Sequence, residues 1–196
     1  MKRLSYIVVL ILFSSSLLAQ SSQGKWDYGT ATFTNKEYNV TWKLIPELSW
    51  IDRPKLSKDT ILKKRSDDVQ ILVSLSANSE DGTMYDIWDL INYLSENSLY
   101  YKNVANEAKR NHMNINDYTA DKIIFHGMHA IKTTTDMAKY YPEHKTTVHS
   151  IHYSYFFKRD KVSYTLSIIS LSVVEDEIEL FNSIAKRLLD GFDFIN

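Results

Sequence analysis

The sequence predicts an α+β protein, an α/β/α sandwich with a central, mostly antiparallel β-sheet and helices packed on it. Three observations predict it. Two runs rich in β-branched and aromatic residues, 148–157 and 162–171, flank the polar tetrad 158–161 and read as a hairpin. An amphipathic helix with its own start and stop signals follows them. Upstream, several strand-like runs joined by short polar turns are interrupted by one long helical stretch. That order favours antiparallel pairing with helices laid on the sheet.

The hairpin shows its two faces directly. Val162, Tyr164, Leu166 and Ile168 alternate with Ser163, Thr165 and Ser167, and Ile151, Tyr153, Tyr155 and Phe157 alternate with Ser150, His152 and Ser154. A period of two implies one buried face and one wetter face. The helix supplies a cover. Ser172 precedes Glu175 by three residues, the capping-box spacing. Glu175, Asp176 and Glu177 crowd the first turn, where the helix dipole favours negative charge. Ile178, Phe181, Ile184, Ala185 and Leu188 form one stripe, and Gly191 reads as the C-terminal stop. Phe192, Asp193 and Phe194 then alternate like a short edge strand or an anchoring tail.

The chain begins with Lys2 and Arg3, an apolar run over 6–13 and small residues over 14–22. This is the pattern of a secretory leader, read here as residues 1–20, with cleavage expected after Ala19 or Ser21. Residues 21–196 then form a single domain. The 196-residue chain has no cysteine, which leaves no disulfide and no thiol chemistry. Nothing after the leader is long and apolar enough for a transmembrane helix. The expected location is the bacterial periplasm or the extracellular space. Formal net charge is −1, with both signs mixed along the chain, and this argues against nucleic acid as a partner.

In order, 20–25 reads as flexible. Residues 28–33 and 38–44 read as strands around a polar turn, 45–50 as a loop containing Pro46, and 51–58 as irregular. Residues 60–64 and 69–76 read as strands; in the second, Val69, Ile71, Val73 and Leu75 alternate with more polar positions. After a break at 78–82, Thr83 and Asp86 make a capping signal. Met84, Ile87, Trp88, Ile91 and Leu94 start a helix that continues through Tyr101, Val104, Ala105 and Ala108 to Arg110. Residues 118–125 and 128–134 read as strands around Gly127, and 138–145 as a polar loop.

Three stretches carry a likeness. Phe125-His126-Gly127-Met128-His129-Ala130 is a strand–Gly–strand step, and Asp160-Lys161-Val162-Ser163-Tyr164-Thr165-Leu166 is a turn into a strand. Phe181 through Phe194 is a last helix ending in a small residue and an aromatic. In these places, over roughly residues 60–194, the chain resembles the PsbP-like superfamily. That group includes the extrinsic PsbP proteins of photosystem II and a Ran-binding nuclear transport factor of the same fold. The resemblance implies a sandwich around an antiparallel sheet and a non-catalytic binding module. It implies no catalytic residues, because the family shares no catalytic set.

The candidate functional residues fall into three groups. His126, His129, His149 and His152 come in two pairs spaced by three. Neighbouring strands that face one another would let them bind zinc or copper; the competing reading is ordinary strand histidines, each with its own hydrogen bond. The acidic pairs Asp67-Asp68 and Glu80-Asp81 read as turn chemistry rather than calcium or acid–base sites. No Gly-x-Ser-x-Gly elbow or glycine-rich phosphate loop is present. Of the aromatic residues near loops and helix ends, Tyr100, Tyr101, Tyr140 and Tyr141 form the candidate contact patch, while Trp42, Trp88 and Tyr164 read as core. The resulting expectation is an exported binding module, not an enzyme, with another protein as partner and no cofactor. The alternative is a small-ligand or divalent-metal protein using the histidines near the C-terminal hairpin.

Overall fold

The computed structural model describes residues 24–27, 29–36, 38–45, 50–52, 60–64, 70–79 and 86–195. The expected leader and its cleavage sites, Pro46, most of 51–58, both acidic pairs, Met84 and Thr83 lie outside the described residues.

Alternating β-branched and aromatic residues build two antiparallel sheets. The small one contains β1 (Lys25–Asp27), β2 (Thr32–Asn35), β3 (Val40–Lys43) and β11 (Phe192–Phe194), in the order β1-β2-β3-β11. The large one contains β4 (Trp50–Asp52), β5 (Thr60–Lys64), β6 (Gln70–Ser79), β7 (Asn114–Phe125), β8 (Met128–Tyr141), β9 (Thr146–Arg159) and β10 (Val162–Val174). Its order is β4-β5-β6-β10-β9-β8-β7, and every neighbouring pair is antiparallel. The chain leaves β6, crosses one face as a 3-10 turn (Ile87–Leu90), α1 (Ile91–Leu94) and α2 (Leu99–Arg110), and enters the sheet again at its far edge. The meander β7 to β10 then returns until β10 pairs with β6. Helix α3 (Ile178–Asp190) follows and delivers β11 to β3.

The two faces of the large sheet carry separate cores, because neighbouring residues of a strand point oppositely. Phe157, Tyr155, Leu166, Ile168, Ile71 and Val73 face α3 and the small sheet, where they meet Phe181, Leu188, Trp42, Phe33 and Phe192. Phe156 and Ile131 face the other way, against Ile87, Leu94 and Tyr100. Each fully buried side chain of this kind stabilises the fold by roughly 1.5–3 kcal/mol. Trp42 also joins the small sheet to α3 by a hydrogen bond, its Nε1 donating to the Leu188 carbonyl at 2.7 Å. Tyr164 joins the two sheets, its hydroxyl donating to the Tyr38 carbonyl at 2.8 Å.

The α+β class, the hairpin, the final helix and the aromatic tail are as the sequence predicts, and several boundaries differ. The hairpin turn is two residues, not four: β9 runs to Arg159, β10 starts at Val162, and Asp160 takes a φ of 56°. Asp tolerates that left-handed conformation better than most residues. The long helix is interrupted at 95–98, where Asn97 sits at φ 70° and Ser98 accepts a hydrogen bond from the Tyr101 N–H at 3.1 Å. Ser172 belongs to β10, and α3 begins only after a 3-10 turn (Glu175–Glu177). Residues 138–141 are not loop but the end of β8, because β9 offers them partners from Thr146 to His149. The first strand already begins at Lys25, the last residue of the stretch expected to be flexible, because β2 pairs with it.

Gly191 has a different reason from the expected one. Its φ is −85°, so no left-handed cap is involved. Instead a Cβ there would lie 2.0 Å from the Lys43 carbonyl oxygen. The strands approach because the Lys43 N–H donates to the Gly191 carbonyl at 2.8 Å. Gly191→Ala must push β3 and β11 apart, and it is expected to lower unfolding stability by about 1–3 kcal/mol in urea titrations. A change within error would contradict this packing.

Candidate functional site

The four candidate histidines go to four environments. His126 occupies the β7–β8 turn with Gly127, at φ 48° and 77°. Two positive φ values suit the tight primed hairpin turn. Its exposed ring meets Phe125 at 4.5 Å and Phe192 at 5.8 Å. His129 lies on the helix side of β8. There Nδ1 is 3.0 Å from Asp86 Oδ2 and the ring stacks on Trp88 at 3.7 Å. Asp86 caps the 3-10 turn, and the Trp88 backbone N–H, with His129 second, holds its carboxyl below the usual range. His149 is on the opposite face and buried, its Nδ1 2.9 Å from Asp136 Oδ1. Asp136 also accepts from the Asn116 side-chain amide at 2.7 Å. His152 shares the helix-side face with His129, but its cross-strand partner is Thr135. Among the described residues no group of three or more His, Asp or Glu is arranged to hold a metal ion.

His152 and Ser150 form the arrangement closest to a catalytic pair, and its polarity is reversed. Ser150 Oγ lies 3.0 Å from His152 Nε2 and also donates to the Ser170 carbonyl at 2.8 Å. A hydroxyl has one proton. The imidazole N–H must therefore donate to Ser150, whereas a general base would present a lone pair to it. Ser150 is also buried. The hydroxyls nearby close on one another: Ser154 and Ser167 are 2.9 Å apart across β9 and β10, and the buried Tyr100 hydroxyl is bonded to Thr133 and Ser154. This face is a satisfied polar ladder under α2.

A concave site lies at the opposite end of β9. Because β11 is an edge of the small sheet, a cleft of 430 Å³ remains between it and the tips of the large sheet's hairpins. Its walls are His126, Met128, Arg159, Asp193 and Phe194. The Arg159 guanidinium lies over the Phe194 ring at 4.4 Å. Phe194 is itself fixed by Phe157 and Tyr164. The Asp193 carboxylate accepts the Phe194 N–H at 2.8 Å. Sequence reasoning reached His126 here but missed Arg159 and Asp193, reading 158–161 as a solvated turn. Parity was the available signal: Arg159 is two residues from Phe157 and shares its face.

The candidate tyrosines separate. Tyr100 is buried against Phe156 and belongs to the core, not to a contact patch. Its spacing of four from Val104 and eight from Ala108 places it on the inner stripe of α2. Tyr101 packs edge-on against Tyr118 at 5.0 Å. Tyr140 is 58% exposed at the tip of the β8–β9 hairpin. Beside it Lys139 lies 4.8 Å over the Tyr141 ring. Trp42 and Tyr164 are core as expected, and Trp88 is half-buried.

Two antiparallel sheets, helices on both faces of the larger one and an aromatic C-terminal strand closing the smaller one define a PsbP-like fold. The solution structure of cyanobacterial PsbP from Synechocystis sp. PCC 6803 matches with a TM-score of 0.52 at 11% identity, over 90% of this chain and 95% of that one. The crystal structure of LpqN, involved in cell envelope biogenesis of Mycobacterium tuberculosis, matches at 0.47 and 11% identity, over 78% and 81%. The Saccharomyces cerevisiae Ran-binding protein Mog1p matches at 0.42 and 12% identity, over 90% and 97%. At 11% identity the likeness to the cyanobacterial protein is one of fold. No protein-family profile matches the sequence, and no curated protein does. No helix among the described residues is long and apolar enough to cross a membrane.

The buried imidazole gives a pH dependence. Burial pushes the His152 pKa from 6.5 down to about 4. The unfolded chain therefore binds this proton more readily between those values, and stability falls as pH drops through that window. The loss is on the order of 3 kcal/mol and is complete near the lower value. His152→Asn keeps a donor for Ser150 without titrating. Its stability relative to the parent is expected to rise as pH falls from 6.5 to about 4. Parallel pH curves for the two proteins would contradict a buried neutral imidazole.

Proposed function

We propose that this chain is an exported, non-catalytic binding module whose partner is another protein, acting in the bacterial envelope or outside the cell. The observation that carries this reading is the tip of the β8–β9 hairpin. Tyr140 stands 58% exposed there, next to the Lys139–Tyr141 pair. Two 14-residue strands, paired through Tyr141 and Thr146, hold that tip in place. Tyrosine offers a large amphipathic contact area at low entropy cost, which is why it is enriched at binding hot spots. The reversed Ser150–His152 polarity supports a non-catalytic role. The export reading rests on the basic and apolar pattern of residues 1–22.

A second reading, ligand binding beside the final hairpin, is favoured by the cleft that His126 and Arg159 line.

The test replaces Tyr140 with a photo-crosslinking phenylalanine analogue in the native cells. The expected outcome is one discrete protein adduct in the envelope or secreted fraction. The recovered chain is expected to begin at Gln20 or Ser22. An intact Met1, or adducts at Lys186 on α3 but none at Tyr140, would contradict the proposal.

A further inference from the structure

The cleft beside β11 contains a cation, Arg159, that takes part in no ion pair among the described residues. The Arg159 guanidinium carbon lies 4.4 Å over the Phe194 ring, a contact made through the face of the ring rather than through hydrogen bonds of the guanidinium. The ion pairs among the described residues are His129–Asp86 and His149–Asp136, and neither uses Arg159. A planar guanidinium held on a ring is already arranged for two parallel hydrogen bonds to a carboxylate. His126 adds an imidazole on the same wall, and Met128 and Phe194 supply apolar surface. The volume of 430 Å³ falls within the range of small-ligand clefts, roughly 300–1,000 Å³.

The backbone beside Arg159 narrows the ligand. The Gly191 carbonyl accepts from the Lys43 N–H, and the Ile195 N–H donates to the Asn39 carbonyl, each at 2.8 Å. Ladder bonds alternate along an antiparallel edge, so the backbone groups of Phe192 and Phe194 point away from β3. One of these, the Phe194 N–H, is held by Asp193; Phe192 is fully buried, so the acceptor this strand offers the cleft is the carbonyl of Phe194, a residue 8% exposed. An extended peptide can donate to that carbonyl and place its end group at Arg159.

We propose that this cleft binds the C-terminal carboxylate of an extended peptide supplied by a partner protein. Arg159 holds the carboxylate, Phe194 fixes the guanidinium, and the Phe194 carbonyl at the end of β11 aligns the chain. Asp193 opposes the incoming charge and limits affinity while blocking the edge against indiscriminate strand pairing. The inference draws on the protein-binding reading only in naming a peptide as the ligand. The hairpin tip at Tyr140 and this cleft are separate surfaces, so crosslinking and titration can fail independently.

The test is an NMR titration of isotopically labelled protein with N-acetylated tetrapeptides randomised at every position, supplied as free acids, as C-terminal amides, or replaced by sodium acetate. The free acids are expected to shift the amide signals of Gly127, Arg159, Asp160 and Phe194. Arg159→Gln is expected to weaken binding at least about tenfold, as loss of a charged hydrogen bond does. Asp193→Asn, which keeps an acceptor for the Phe194 N–H, is expected to strengthen it several-fold. Equal binding of acids and amides, shifts confined to other surfaces, or no shift with millimolar acids would overturn the proposal. Acetate shifting the same signals as strongly as the peptides would overturn the peptide assignment. Weaker binding in Asp193→Asn would overturn the role given to that carboxylate.

Discussion

The ring of Phe157 is the contact on which the rest of the structure depends. It is fully buried and touches Phe125, Tyr164, Phe192 and Phe194 at ring distances of 5.1 to 6.1 Å. Those four rings belong to the first turn of the meander, the final hairpin and the C-terminal strand. The interaction therefore fastens elements far apart in sequence. Trp42 extends the cluster from the small sheet, edge-on to Phe192 at 5.9 Å. Offset and edge-to-face ring pairs contribute about 0.5–1.5 kcal/mol beyond their buried area. In this account the tail is part of the core, and it also supplies the wall on which Arg159 rests.

What was legible in the sequence is what local periodicity encodes. The parity of β9 and β10, the stripe of α3 and the alternation of Phe192 and Phe194 all follow from residues a few positions apart. The true length of β8 was not legible. Its distal part, from Thr135 to Tyr141, lies beyond the expected strand, and Lys139 with the two tyrosines falls in 138–145, which reads locally as a polar loop. They are strand because β9 lies alongside, and pairing partners outweigh local preference. The break at 95–98 hid inside an apparently continuous helical stripe, since Leu94 and Leu99 keep apolar residues on either side of it. Gly191 was marked correctly as a stop, but the Lys43 carbonyl that requires it lies 148 residues away in sequence and leaves no local trace.

The site was legible only in part, for the same reason. Histidine spacing suggested cooperation, yet odd spacing on strands sends side chains apart, and each ring has found a local partner such as Asp86, Asp136 or Ser150. The polar residues that do converge come from a turn, a hairpin end and the tail. The tertiary contacts of the tail with Phe157, Phe125 and Tyr164 bring them together. The fold thus places a hydrogen-bonded hydroxyl ladder under α2 and the Arg159 cleft at the opposite end. The proposed binding role would use such a distribution, with buried hydroxyls in the scaffold and contacts at its exposed extremities.

The central claim is that small sheet, α3 and large sheet form one cooperative unit closed by this aromatic junction. Native-state hydrogen exchange tests it most directly, because it reads the opening free energy of each segment. The account predicts that the most protected amides of β3, α3 and β10 open together, with one common free energy and one denaturant dependence. Exchange of β3 by a separate, much cheaper opening while α3 and β10 stay protected would contradict it. The small sheet would then be an appendage, and the cleft wall it provides would not be fixed.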